Sequence, residues 1–172
     1  MLEMLIDSVY LANGYQLDEF PINPMVSLIS SSAGDIASCV FMTIIAGVLF
    51  TSFSSRTVLI CSICLLIVCS YLYMTPFPTS TPPATAISLF LFHLFLFNLD
   101  INVAQVFSVT FPKPIENICV GLCLCASSMG RFLGPYLIRI AEDNQMNPFV
   151  LFIGLMVVFG LFPAIFFPNS RT

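Results

Sequence analysis

The sequence predicts an all-α integral membrane protein of about five transmembrane helices preceded by a short N-terminal helical stub. Three observations carry that prediction. Hydrophobic residues make up 58% of the 172 and charged residues only 8%, against about a quarter charged in an ordinary soluble domain. So few charges cannot coat a water-soluble globule of this size, so the solvent is lipid. Apolar stretches near 25–50, 58–75, 84–110, 116–139 and 147–167 reach or approach the roughly 20 residues that a helix needs to cross a bilayer. The breaks between them collect the prolines and most of the charges, and the whole chain, 1–172, reads as one transmembrane domain.

The net charge of −4 comes with no basic patch, which argues against a nucleic-acid partner. The opening MLEMLIDSVY has acids where a secretory signal needs basic residues. Cys61-x-x-Cys64 has a metal or redox spacing, but no His or second pair lies near it, and all seven cysteines sit in apolar runs. They read as small packing residues, with no metal, cofactor or disulfide framework implied.

Residues 1–15 are apolar but broken by Glu3, Asp7 and Asn13. That is too short and too polar to span, and it looks like the end of a helix whose beginning is missing. The first span places Ser27, Ser31, Asp35 and Ser38 at helical spacing, giving one polar face with an acid near its middle. The second span is featureless, and the link after it, TPFPTSTPP, is too rich in proline for helix.

The third span has two polar arcs. Asn98, Asn102 and Gln105 lie on one, suited to interhelical hydrogen bonds or to lining a cavity. His93 and Asp100, seven residues apart, lie on nearly the opposite one. They read as a proton relay or as a satisfied polar pair between helices. The fourth span carries Arg131 and a ridge of small residues, Ala126, Gly130 and Gly134, which lets a neighbouring helix approach closely. Pro135 is expected to kink it.

Loop charge predicts orientation. Arg56, Lys113 and Arg171 fall on one side, while the opposite links carry only Asp18, Glu19, Glu142 and Asp143. By the positive-inside rule the first side and the C-terminus are cytoplasmic.

Two motifs carry a resemblance. Gly47-Val-Leu-Phe-Thr-Ser-Phe-Ser-Ser-Arg56 fits in register the pattern G-x-L-x-D-R-F-G-R-R, matching at Gly47, Leu49, Phe53 and Arg56. Phe111-Pro112-Lys-Pro-Ile-Glu116-Asn117 followed by Gly121 fits E-L-F-P-T-x-x-R-N-x-x-x-G, matching at Phe111, Pro112, Asn117 and Gly121. The first resembles the cytoplasmic loop of the major facilitator superfamily. The second is similar to the segment between helices ten and eleven of its organic ion transporters and synaptic-vesicle-glycoprotein-like members. The run Ser127 to Pro135 is similar to helix eleven of that group, where a charged residue commonly contributes to the substrate cavity.

The resemblance implies helices eight to twelve, with the stub as the end of helix seven. It also implies a cytoplasmic gate at Gly47, Arg56, Pro112 and Glu116. In the family this gate is latched by charges that Thr51, Ser52 and Ser55 replace here, with Ser54 in place of the glycine, while Glu116 stands in place of an arginine. A latch through Arg56 and Glu116 is one alternative. Such carriers have two six-helix halves with the substrate between them. The chain therefore reads as the C-terminal portion of a plasma-membrane carrier for small organic ions, partnered by an N-terminal half.

Arg131 either offers charge to an anionic substrate or pairs internally with Asp35 or Asp100, the two acids available to a cation or proton. The other reading is a non-transporting half that binds a full-length relative through the Gly130/Gly134 ridge. An enzyme finds no support, because no nucleophile has a base positioned by a third group.

Overall fold

The computed structural model describes residues 2–16, 23–52, 54–74 and 82–166. Those residues form α1 (Leu2–Gln16), α2 (Pro24–Ser52), α3 (Ser55–Met74), α4 (Pro82–Thr110), α5 (Lys113–Asp143) and α6 (Pro148–Phe166), with no strand among them. The fold is all-α, as the composition requires. The helices α2, α4, α5 and α6 are long and apolar enough to cross a membrane, while α3 carries a shorter apolar run, Arg56–Tyr71. The links 17–22 and 75–81, with Asp18 and Glu19, and the C-terminal Arg171 lie outside the described residues.

Local sequence sets the helix ends. Asn23 Oδ1 accepts the Met25 N–H at 2.9 Å, Ser54 Oγ accepts the Thr57 N–H at 3.3 Å, and Asn147 Oδ1 accepts the Phe149 N–H at 3.0 Å. Each is an N-cap, and Pro24 and Pro148 sit at the first helical position, where a missing N–H is harmless. The end of α5 turns through Gln145 at φ 54°. There Gln145 N donates to the Glu142 carbonyl at 2.9 Å and Met146 N to the Ala141 carbonyl at 2.8 Å. This is a Schellman turn with glutamine where glycine is usual.

The stub is not peripheral. Leu5, Ile6, Val9 and Ala12 of α1 are buried with Leu59, Ile63 and Leu66 of α3, Phe92, Leu96 and Leu99 of α4, and Phe149, Phe152 and Met156 of α6. α1 lies along α5, and α4 lies between α2 and α3. On α2 the serine face turns inward, with Ser27, Ser31 and Ser38 buried, while Met25, Leu28, Ile29, Ile36 and Ile44 are exposed. Ser27 and Ser31 satisfy their hydroxyls on carbonyls of their own helix at 2.8 and 2.9 Å, which makes burial away from water tolerable.

Proline within the helices has two outcomes. α5 keeps its helical pattern through Pro135 from Lys113 to Asp143. In α6 the turn Val157–Leu161 widens into a π-helix, and the Phe162 N–H bonds the Val157 carbonyl five residues back. Pro163 follows at once; its ring would press on the carbonyl four residues earlier, and the wider turn relieves that clash.

Candidate functional site

Helix α5 places Arg131 18 residues after Lys113 and 12 before Asp143, near its middle. The helix that meets it is α1. A Cβ on Gly130 would stand 2.0 Å from the Met4 carbonyl oxygen, and one on Gly134 2.9 Å from that of Ser8. The small-residue ridge therefore carries backbone-to-backbone contact with α1. Ser8 Oγ lies 2.7 Å from the Met4 carbonyl and 2.8 Å from the Gly130 carbonyl, sharing its single proton between the two helices.

This approach decides the pairing of the arginine. Arg131 Nε donates to Asp7 Oδ2 at 3.1 Å, and Ser127 Oγ donates to the same oxygen. The sequence reading expected Arg131 to pair with Asp35 or Asp100, if it paired internally. The partner is instead Asp7, because the glycine ridge seats α1 directly on α5. Two other acids face the same space: Glu3 from α1 and Asp100 from α4, whose carboxyls lie within hydrogen-bonding reach of each other.

Between these three helices is a cavity of about 250 Å³ lined by Glu3, Asp7, Asp100, Ala104, Ser127 and Arg131 among others. A second, of about 190 Å³, adjoins it past Ile6, Tyr10, Leu96 and Phe97 and shares Asp7, Asp100 and Arg131. The Arg131 side chain is 68% exposed although Asp7 is only 14% exposed. A guanidinium at mid-helix is costly to leave in hydrocarbon, and pairing with Asp7 on the wall of the cavity lowers that cost. Three carboxyl groups share the cavity with one guanidinium, an acid excess that a cation or proton would relieve.

His93 and Asp35 form a separate cluster. His93 Nδ1 lies 3.2 Å from Asp35 Oδ1, and Tyr10 Oη donates to Asp35 Oδ2 at 2.9 Å. The sequence grouped His93 with Asp100 on one helix; the structure carries His93 to Asp35 across helices and Asp100 to Glu3. The reason is again a glycine, Gly34 beside Asp35, where a Cβ would stand 2.6 Å from the Phe90 carbonyl oxygen, so α2 presses on α4 at this level.

Asn98 and Asn102 lie outside the cavity. Asn102 Nδ2 donates to Ser62 Oγ of α3 at 2.8 Å and to Asn98 Oδ1 at 2.7 Å, and both asparagines are buried. The Asn102–Ser62 bond is interhelical, the first of the two roles their spacing allowed, while Asn98 meets Asn102 within α4. Gln105 is half-buried further along α4.

Of the gate residues, Gly47 lies within α2 in a stretch whose surroundings are outside the described residues. Pro112 is the exposed N-cap of α5 and Glu116 sits in its first turn, where an acid complements the helix dipole. Arg56 lines an open groove at the start of α3 with Ser54, Thr57, Ile60 and Cys61. Among the described residues the ion pairs are His93–Asp35 and Arg131–Asp7. Arg56 and Glu116 form none, because they begin helices that do not pack together.

Sequence reasoning missed Glu3, Asp7, Tyr10 and Ser127 as site residues. The signal was present: Glu3, Asp7 and Tyr10 recur at intervals of four and three on α1, which places them on one face.

Over 60 residues the chain is 32% identical to mouse solute carrier family 22 member 4, a stretch covering 35% of this chain and 11% of that carrier. No family model matches the chain, and no solved structure matches it. The chain is thus a multi-pass, all-helical membrane protein with partial similarity to a solute carrier.

Proposed function

We propose that the chain is the C-terminal portion of a secondary-active carrier for small organic ions. It works by alternating access against an N-terminal six-helix half, in the plasma membrane with its C-terminus cytoplasmic. The observation that carries this reading is the Arg131–Asp7 pair on the wall of a cavity, near the middle of a helix long and apolar enough to cross a membrane, with Glu3 and Asp100 beside it. Ionisable groups at that depth mark ion and substrate paths. The partial similarity to a solute carrier supports it.

In this reading Arg131 holds Asp7 in place, and the remaining acid of Glu3 and Asp100 receives a positively charged substrate. Rocking of the two halves exposes the cavity to either side in turn. The Asn102–Ser62 bond joins α4 to α3, with Asn98 holding the Asn102 amide from one turn away.

The test is uptake by cells expressing this chain with a matching N-terminal half, offered a quaternary ammonium ion and an aromatic carboxylate. The native pair takes up the cation, and Arg131→Ala abolishes uptake while surface insertion is retained. Unchanged uptake in the variant removes Arg131 from the mechanism, and uptake of the carboxylate alone reverses the charge preference. The second reading, a non-transporting half that regulates a full-length relative, is favoured by one observation. Thr51, Ser52 and Ser55 replace three of the gate charges, and Arg56 and Glu116 do not pair.

A further inference from the structure

The geometry points to the His93–Asp35–Tyr10 cluster as a proton-binding site whose state is read at Tyr10 of helix α1. The inference deepens the carrier reading by naming the coupling ion, and its structural part stands without it. His93 is the single histidine of the chain, and it is 4% exposed within a long apolar helix. Histidine is the side chain whose charge changes over the ordinary physiological range, and a buried ionisable group in a membrane helix is a functional candidate with its partner to be named. Here the partner is named by geometry: both oxygens of Asp35 are engaged, Oδ1 by His93 Nδ1 at 3.2 Å and Oδ2 by the Tyr10 hydroxyl at 2.9 Å. The Tyr10 ring meets the imidazole edge-on at 5.4 Å between centroids. Three helices, α1, α2 and α4, therefore converge on one carboxylate.

The balance is simple. A proton from the aqueous side adds to the neutral imidazole, giving an imidazolium with both ring nitrogens protonated. The charge of the cluster goes from −1, carried by Asp35, to zero. No other bond breaks. A neutral cluster holds Asp35 through the imidazolium and releases the demand on the Tyr10 hydroxyl; a charged one draws the hydroxyl in. Tyr10 and Asp7 share a face of α1 one turn apart, and Asp7 holds Arg131 at 3.1 Å. Tyr10 thus reads the proton state of His93 on the face of α1 that also carries Asp7.

The groups that face the cluster are few. From α2 comes Asp35, and from α1 Tyr10, with Asp7 acting on it from one turn away. Arg131 of α5 also acts on Tyr10, and α4 itself carries Asp100 seven residues on. The apolar helix α6 contributes no charge from Pro148 to Met156. In α3 the charged residue is Arg56. The Asn102–Ser62 register and a rise of 1.5 Å per residue put it roughly 20 Å away along the helix. Glu3 lies two turns from Tyr10 on the same face of α1 and meets Asp100, so the comparison with His93→Gln is what ties a pH response at Tyr10 to this cluster.

The experiment uses the full chain in phospholipid nanodiscs, with isotope-labelled histidine and with tyrosine labelled at the ring carbon bearing the hydroxyl. One histidine gives one set of ring signals, and Tyr10→Phe identifies the Tyr10 signal among five tyrosines. The pH is stepped from 8 to 5. The ring is expected to pass to the doubly protonated form and the Tyr10 signal to shift with the same midpoint. In Asp35→Asn the Tyr10 shift is lost while the ring still titrates. In His93→Gln, which needs no refolding around a lost carboxylate, the Tyr10 signal is constant over the whole range. A ring that stays singly protonated to pH 5, or a Tyr10 signal that ignores the ring, overturns the proposal. So does a Tyr10 shift that persists in His93→Gln. No substrate is involved, so failure here leaves the uptake test untouched, and failure of uptake leaves this result standing.

Discussion

Replacing Gly130 with alanine tests the contact that positions the cavity. The added Cβ would sit 2.0 Å from the Met4 carbonyl oxygen, where real Cβ atoms essentially never come closer than 3.0 Å. The obstacle is backbone, so α1 and α5 must separate by about 1 Å at this level. That takes the Ser8 Oγ to Gly130 carbonyl distance from 2.8 Å to about 3.8 Å, beyond a hydrogen bond. It takes the neighbouring Arg131–Asp7 contact from 3.1 Å to a similar length. Forced repacking costs about 1–3 kcal/mol and the interhelical hydrogen bond about 0.6 kcal/mol. Alanine's better helix propensity returns roughly 0.5–1 kcal/mol. The net is a loss of about 1–3 kcal/mol, or roughly 3–9 °C in melting temperature for a chain of this size.

Gly121 on the same helix is the control, since a Cβ there meets nothing within 4 Å. Gly121→Ala gains about 0.5–1 kcal/mol and melts slightly above the native chain. The assay is melting in detergent followed with a thiol-reactive dye, for which the free cysteines of α5, Cys119, Cys123 and Cys125, are natural reporters. Opposite signs for the two substitutions are expected. If Gly130→Ala melts with or above Gly121→Ala, α1 does not lie on α5 and the cavity described above does not exist.

Three further outcomes follow from the same geometry. Asp7→Arg and Arg131→Asp each lower melting temperature or cell-surface yield, and the double exchange recovers most of the loss; no recovery would mean that the two side chains do not meet. Asn102→Ala loses the bonds to Ser62 and Asn98 and is expected to destabilise by about 0.6–2 kcal/mol in the same melting assay, whereas Asn117→Ala, exposed near the start of α5, changes little. Gln145→Gly relieves a left-handed residue at φ 54° and stabilises by roughly 1 kcal/mol; a lower melting point would show that the turn is not formed.

The helices were legible because their signals are local. Apolar length and the proline-rich link need no knowledge of partners. The inward serine face of α2 was legible for the same reason, since Ser27, Ser31 and Ser38 recur at helical spacing. The pairings were not. Spacing puts His93 and Asp100 on one arc of α4, but which acid each residue meets depends on where glycines let other backbones approach. Gly34 brings Asp35 to His93, and Gly130 brings Asp7 to Arg131. The ridge of Gly130 and Gly134 announced a close neighbour without naming it. α1 was discounted on its polarity, yet Glu3, Asp7 and Tyr10 are polar because they face the cavity. The π-turn in α6 had a signal in Pro163, which the reading of one uninterrupted apolar span passed over.

The carrier reading requires that water and ions reach the space between α1, α4 and α5. The most direct measurement is thiol accessibility in a chain freed of its native cysteines. Ala104→Cys lies on the cavity wall, and Leu122→Cys is an exposed position on α5 outside it. A membrane-impermeant, positively charged thiosulfonate should modify Ala104→Cys rapidly and Leu122→Cys at least tenfold more slowly, because hydrocarbon excludes a charged reagent. Equal rates at the two positions, or no reaction at Ala104→Cys, would contradict the account.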